Sequence, residues 1–390
     1  MGQNLTPLEM LRNLVAFDTV SANPNEMMIR YIVDYLEGHG IPSNVKQGEE
    51  PGKLDLIATI GPNIEGGLVL SGHTDVVPVE GQDWFCEPFD MTEKDGKLYG
   101  RGTCDMKGFL AVVLALVPEM LQAKLVRPLH FVFSYDEEVG CLGAPGLISR
   151  LIKEVPMPLA AIVGEPTSMR LVNAHKGVSI FETRVVGKPA HSSQTQLGVN
   201  AITAAADCIT FLRSMAEKFK KQEKLDDRME PPYNTINIGM IDGGTALNIV
   251  AGECKFTWGF RSIGKKDATS LINDFERYCN QQVLPAMRAV ASGSDIFTKR
   301  LAVIPPLLPV EDNPAEELVR VITGQNKADG VAVAAEAGMF QESGIPAVIC
   351  GPGSIEQAHK PNEFVEVNQI KVCIDFIRNI IKWATTKSAA

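Results

Sequence analysis

Short aliphatic, β-branched runs alternate with amphipathic stretches through the first third of the chain, and this rhythm restricts the fold more than any other feature. Leu54-Asp-Leu-Ile-Ala-Thr-Ile60, Leu68-Val-Leu-Ser71, Leu129 to Ser134 and Ala160-Ala-Ile-Val163 read as strands. Pro7 to Phe17, Glu26 to His39, Gly108 to about Leu125 and Ala144 to Lys153 read as helices. Strands interleaved with helices bury their apolar faces as an α/β sheet covered on both sides. The rhythm changes near Gly177. Val178 to Val186, Asn234 to Met240 and Glu253 to Arg261 alternate like half-exposed strands, and two long helices, Asn200 to about Lys221 and Asp267 to Val283, lie among them. That is the strand-helix-strand-strand-helix-strand pattern of a small α+β sandwich. The Pro-rich stretch Ile304-Pro-Pro-Leu-Leu-Pro309 closes it, and the first rhythm resumes with the helix Ala315 to Ile322, the strand Ala347 to Cys350 and the helix Gln369 to Trp383. The expected organisation is one α/β domain in two segments, 1–177 and 305–390, with 178–304 inserted.

At 390 residues the chain is long enough for two cores. Its net charge of −10 argues against a nucleic-acid partner, which calls for a basic face. The longest apolar run, Phe109 to Val117, is too short to span a bilayer, and no secretory signal is evident. The start Met1-Gly2-Gln3-Asn4-Leu5-Thr6 fits a loose myristoylation pattern that chance explains better. The eight cysteines form no C-x-x-C pair and read as reduced thiols of a cytoplasmic protein.

Function concentrates in loops, and four of the six histidines, His73, His175, His191 and His359, fall in or near Gly- or Pro-marked loops. His73 in Ser71-Gly-His-Thr-Asp75 follows a strand, and Asp75 can accept its second ring N–H, as partners of metal-bound imidazoles do. From that fragment alone a helix cap or a loop hydrogen bond is the stronger reading. Asp105, flanked by glycines at a helix start, is either an N-cap or a bridging carboxylate. Glu137 and Glu138 follow the strand ending at Ser134; neighbours on a strand point to opposite faces, so both serve one site only if the strand has ended, as Gly140 suggests. Otherwise they are a solvated acidic loop. Glu165 follows another strand between Gly164 and Pro166, and His359 ends the loop after Ala347 to Cys350. Taken together, His73, Asp105, Glu138, Glu165 and His359 are expected at five successive strand ends along one sheet edge, where open α/β sheets form their sites. Two histidines and three carboxylates, one bridging, suit two divalent ions of the zinc type. Two dications would also balance the four carboxylates that Glu137 completes.

Ser71-Gly-His-Thr-Asp75, Gly100-Arg-Gly-Thr-Cys-Asp-Met-Lys-Gly108, Asp136-Glu-Glu138, Gly164-Glu-Pro166 and His359 occur in the order seen in a known family. The whole chain resembles the two-zinc metallohydrolases related to acetylornithine deacetylase, succinyl-diaminopimelate desuccinylase and carboxypeptidase G2. Gly338 to Pro346 and Cys350 to Pro361 look most like the acetylornithine deacetylases. The resemblance implies a three-layer, zinc-peptidase-like catalytic domain with an inserted ferredoxin-like dimerisation domain, and hence a homodimer. It implies that His73 and Glu165 hold one zinc (or cobalt), that Glu138 and His359 hold the other, and that Asp105 bridges them. Asp75 would orient His73, and Glu137 would be the general base. His191 would reach into the partner subunit's site as an oxyanion donor, and Asn248 and Arg261 would bind the substrate's carboxylate region. The implied reaction is hydrolysis of N2-acetyl-L-ornithine to L-ornithine and acetate, in arginine synthesis; desuccinylase, aminoacylase and dipeptidase activities are the alternatives. Ala251 and Gly259-Phe-Arg-Ser262 depart from the family pattern, which puts fine substrate placement in question. Glu336 reads as a surface acid, with a weaker claim to meet the ornithine ammonium.

Overall fold

The structure, a computed structural model, describes residues 3–221, 225–264 and 267–386. Met1 and Gly2, where the myristoylation pattern begins, lie outside them. The chain divides into two compact units: Met1–Ala174 with Pro309–Asp329 and Ala335–Ala390, and His175–Leu308 with Gly330–Ala334. The return of 330–334 to the second unit has no counterpart in the sequence pattern. It is held there by backbone and side-chain bonds: Lys176 N–H donates to the Val331 carbonyl, and Arg261 Nη1 lies 3.4 Å from the Ala332 carbonyl.

The larger sheet has eight strands, in the order Ser43–Gln47, Leu54–Ile60, Leu129–Ser134, Leu68–His73, Ala160–Pro166, Ala347–Gly351, Val172–His175 and Asp329–Val331. The four strands at 129–134, 68–73, 160–166 and 347–351 run parallel. Each is buried on both faces, which is why they read as nearly continuous apolar runs. Alternate residues, Leu68, Leu70, Phe131, Phe133, Ile162 and Val348, join one core with the helices Pro7–Val15, Glu26–Gly38, Lys107–Ala115 and Val367–Ala384. Their neighbours Val69, Val132, Ala161 and Ile349 must face the other side. This is the three-layer α/β architecture expected. From Leu68–His73 the chain goes on to Leu129–Ser134 on one side and then crosses back to Ala160–Pro166 on the other, a reversal of the kind that opens a crevice at the carboxyl ends of the strands.

Lys107–Ala115 is buried all round. The single helix expected from Gly108 to Leu125 breaks after it, and a second, Val117–Gln122, starts with Pro118 in its first turn. Proline has no N–H to continue the ladder and its ring clashes with the preceding turn.

The second unit is a four-stranded antiparallel sheet in the order Thr235–Gly243, Glu253–Ser262, Gly177–Val186, Asp295–Ile304, with the helices Ala201–Lys221 and Asp267–Tyr278. The strand order, second-third-first-fourth along the chain, is that of a ferredoxin-like sandwich. Phe181, Phe256, Trp258 and Phe260 form its core with Leu212 and Phe275. The second helix ends earlier than its sequence pattern suggests. It widens into a π turn, Cys279–Val283, just ahead of Pro285, which cannot supply an N–H to the carbonyl four residues back.

Gly164 sits where no side chain fits: a Cβ there would fall within the ring of Phe109. Gly164→Ala should therefore destabilise the first unit by about 1–3 kcal/mol in denaturant unfolding. Adding Phe109→Leu should recover part of the loss. No recovery would place the strain elsewhere.

Candidate metal centre

Four groups reach the crevice at the carboxyl edge of the parallel strands. His73 is the last residue of Leu68–His73, and Glu165 is the penultimate residue of Ala160–Pro166. Glu138 follows Leu129–Ser134, and His359 ends the loop after Ala347–Gly351. Asp105 does not come from a strand of this sheet, contrary to expectation. It lies in the turn before Lys107–Ala115, fed by Lys97–Tyr99 of a separate three-stranded sheet whose other strands are Thr92–Lys94 and Phe364–Glu366. These are too short for their periodicity to be read.

Asp105 nevertheless stands between the histidines. Its Oδ1 is 3.1 Å from His73 Nε2 and its Oδ2 is 3.4 Å from His359 Nε2. Glu165 Oε1 lies 3.6 Å from His73 Nε2, and Glu138 Oε2 lies 2.9 Å from His359 Nε2. Each imidazole thus faces one oxygen of Asp105 and one glutamate. Two donor sets, His73–Glu137–Glu165 and His73–Asp105–Glu138, bring their ligand atoms within 4.8 Å of one another. Glu165 Oε1 is buried and accepts no hydrogen bond among the described residues. A buried carboxylate oxygen without a donor is costly, and a cation would relieve it. Two imidazoles with hard carboxylates make a donor set that fits divalent ions of the zinc type.

Ionisation follows from crowding. Burial works against the charge on Asp105, but hydrogen bonds from His359 and His73 hold its carboxyl well below the usual range. Burial likewise opposes a charged His73, yet its bonds to Asp105 and Asp75 and the nearby Glu165 keep it well above an ordinary imidazole. His359 is raised to about 10 by Asp105 and Glu138. Burial, together with neighbouring acids, pushes Glu138 up to about 7, Glu137 to about 8, and Glu165 well above the carboxylate range. Four acids in one crevice cannot all ionise without positive charge.

Asp75 has a further task besides its contact with His73. The Nδ1 of His73 meets the carbonyl of Asp75 at 2.8 Å, while the Asp75 carboxylate is 3.6 Å away. That carboxylate also accepts the backbone N–H of Glu137 at 3.1 Å, that of Glu138 at 3.2 Å and the hydroxyl of Ser21 at 2.7 Å. It therefore sets the turn that carries both glutamates. The strand has indeed ended: Asp136 takes a left-handed conformation, φ +54°, and its buried carboxylate pairs with Lys53 Nζ at 2.5 Å. Glu137 is marked off from its neighbour by Cys141, whose thiol lies 3.3 Å from Glu137 Oε1.

Glu336 is not a surface acid. It is 1% exposed and accepts hydrogen bonds from Ser134 and, at 3.4 Å, Ser71. Ser21, Lys53 and Cys141 carried no motif of their own in the sequence, because their roles exist only through partners distant along the chain.

His191, Asn248 and Arg261 all lie in the second unit and are exposed. His191 Nδ1 is 2.8 Å from the Ser193 hydroxyl, and Ser192 N–H bonds the Asn248 carbonyl, so His191 and Asn248 are neighbours. Arg261 is not near them. The pairing of Glu253–Ser262 with Gly177–Val186 puts their loop beyond Glu253 and Arg261 eight residues along the strand, about 26 Å away at strand rise.

The model of Peptidase family M20/M25/M40 matches residues 69–383. An acetylornithine deacetylase of Shigella sonnei (strain Ss046) is 34% identical over 401 residues, covering 98% of each chain. One from Proteus mirabilis (strain HI4320) is 32% identical over 384 residues, covering 97% of this chain and 96% of that one. Among solved structures, a family M20 metallo-carboxypeptidase from Sulfolobus solfataricus has the same fold, with a TM-score of 0.74 at 18% identity, covering 98% of this chain and 99% of that one.

The raised carboxyl of Glu137 makes metal-free stability depend on pH. Its folded pKa of about 8 exceeds the ordinary 4.5, so the native state keeps a proton the unfolded chain has lost. Its contribution is full below about pH 4.5 and disappears as pH rises through about 8. In chelator, the wild-type melting temperature should fall relative to Glu137→Gln between pH 5 and 8.5. Parallel profiles would show that Glu137 titrates normally.

Proposed function

The chain belongs to Peptidase family M20/M25/M40, and from that premise we propose that this hydrolase is a two-metal amidohydrolase that cleaves N2-acetyl-L-ornithine to L-ornithine and acetate. One observation carries the two-metal reading: the oxygens of Asp105 are divided between His73 and His359, each of which has its own glutamate. The substrate reading is supported by acetylornithine deacetylases 32–34% identical over almost the whole chain.

His73 and Glu165 would hold one zinc or cobalt ion, Glu138 and His359 the other, and Asp105 both; bound there, the ions supply Lewis-acid polarisation and lower the pKa of water. Glu137 then takes the proton of the attacking water and delivers it to the departing α-amine. Without cations its surroundings raise this carboxyl to about 8; with ions bound its pKa would fall, leaving a carboxylate able to take that proton. The Asp75 carboxylate fixes the Glu137 backbone, and the Cys141 thiol occupies Oε1.

We place His191 and Asn248 in the active site of a partner subunit. The separation of about 26 Å from Arg261 supports this, since one inserted unit cannot bring all three to one small substrate. The exposed apolar side chains Met240, Ile241, Leu247 and Ile249 lie on and just after the edge strand Thr235–Gly243, as a homodimer contact there would require. Arg261 would grip the substrate α-carboxylate with its planar fork. A homodimer acting in cytoplasmic arginine synthesis completes the proposal.

Glu137→Gln should retain metal, measured by elemental analysis, and lose about 10²–10⁴-fold in kcat. Activity near wild type would remove Glu137 as the base. A steady-state panel of acetylornithine, succinyl-diaminopimelate, other acyl-amino acids and dipeptides should show the highest kcat/KM for acetylornithine; another winner would move the protein to a sister activity. Mixed dimers of His191→Ala and Glu137→Gln should regain part of the activity that either homodimer lacks. No regain in proven heterodimers would remove the shared site.

A further inference from the structure

Glu363 lies four residues past His359 and is 1% exposed. It belongs to no motif identified above. Each of its oxygens accepts two donors. Oε1 takes the backbone N–H of Cys104 at 2.8 Å and of Asp105 at 3.0 Å. Oε2 takes Gly102 N–H at 3.1 Å and Arg101 Nη1 at 2.7 Å. The turn carrying Asp105 is thus wrapped around one carboxylate from the segment that carries His359.

Arg101 extends the connection. It is itself fully buried and stacks near the Trp84 ring, 5.1 Å from its centroid. Its Nη1 also reaches the carbonyl of Lys360 at 3.3 Å, and its Nη2 donates to Gln82 Oε1 at 2.7 Å. Gln82 Nε2 in turn donates to the carbonyl of His359 at 3.3 Å. His359 needs such restraint. It sits in a left-handed conformation, φ +63°, and its side chain is 55% exposed, whereas those of His73 and Asp105 are almost wholly buried. A non-glycine residue holds that conformation only where its surroundings impose it.

We propose that Glu363, with Arg101 and Gln82, is a positioning clamp that couples Asp105 to His359, so that the shared carboxylate and the exposed ligand are placed together. Glu363 touches no reacting group; it acts through the backbone of Asp105 and the chain just after His359. The inference rests on the reading of Asp105 and His359 as metal ligands. It adds that their relative placement depends on one buried carboxylate with four donors. Glu363→Gln keeps the shape but turns an amide NH₂ toward N–H groups or toward Arg101, which must disturb one half of the clamp.

The test is metal binding by the full-length chain, titrated with zinc against a chromophoric chelator and with cobalt by its visible d–d absorption. Outer partners of metal ligands typically govern affinity by about 10–100-fold. Glu363→Gln should lose affinity in that range, most for the second ion bound, with a changed cobalt spectrum. Phe275→Leu, in the core of the second unit, should lower the melting temperature while leaving both unchanged. Gln82→Ala, at a half-buried position, should weaken the second ion by about tenfold, the low end of that range. It decides the matter if Glu363→Gln does not fold. Wild-type affinities and spectrum in the folded variants would overturn the clamp. A wild-type protein that binds no second ion would overturn the two-metal reading and the clamp with it.

Discussion

A single carboxylate between two imidazoles organises this molecule. Asp105 is almost wholly buried, and His73 and His359 approach its two oxygens. Everything else in the crevice follows from keeping that negative charge there. Glu138 and Glu165 complete the two halves, and their raised pKa values express how much charge the crevice holds without cations. The sheet serves this centre by ending four parallel strands beneath it, with a switch in connection direction beside the strand that carries His73.

Behind the candidate ligands stands a second set of buried acids, each satisfied by its own donors. Asp75 binds the backbone N–H groups of Glu137 and Glu138. Asp136 pairs with Lys53, whose Nζ also reaches the carbonyl of Ser21, while the Ser21 hydroxyl reaches Asp75. Glu363 binds the turn of Asp105, and Glu336 binds Ser134. A buried charge without partners would be too costly to keep. These acids have partners, and through them they hold loops that carry little secondary structure. The geometry of the candidate metal site depends as much on main-chain N–H groups facing carboxylates as on the candidate ligands themselves.

Much of this was legible in the residues. The two rhythms of the chain separated an α/β sheet from an α+β insertion because burial imposes different periods on strands covered on both faces and on one. The candidate ligands stood out because histidines are few and because acids beside Gly or Pro after apolar runs are poor core residues. Other features stayed hidden. Pro118 sat inside a helix expected to run on to about Leu125, and the helix broke just ahead of it. The strands that deliver Asp105 are three residues long, too short for any period. Glu336 looked like a surface acid because its serine partners, Ser71 and Ser134, lie some 265 and 202 residues away in the chain.

By itself, then, the sequence determined the layers, the insertion and the identity of the metal-ligand candidates, since these depend on local pattern and on residue chemistry. Only the tertiary structure decided which oxygen faces which imidazole, that the Asp75 carboxylate lies nearer the backbone N–H groups of two glutamates than the His73 ring, that Asp136 belongs to Lys53, and that Glu363 ties Asp105 to the chain beyond His359. The physical reason is common to all four. Each is a hydrogen bond or ion pair between segments remote in sequence, and its partners become neighbours only when the sheet and its loops close around the buried charge.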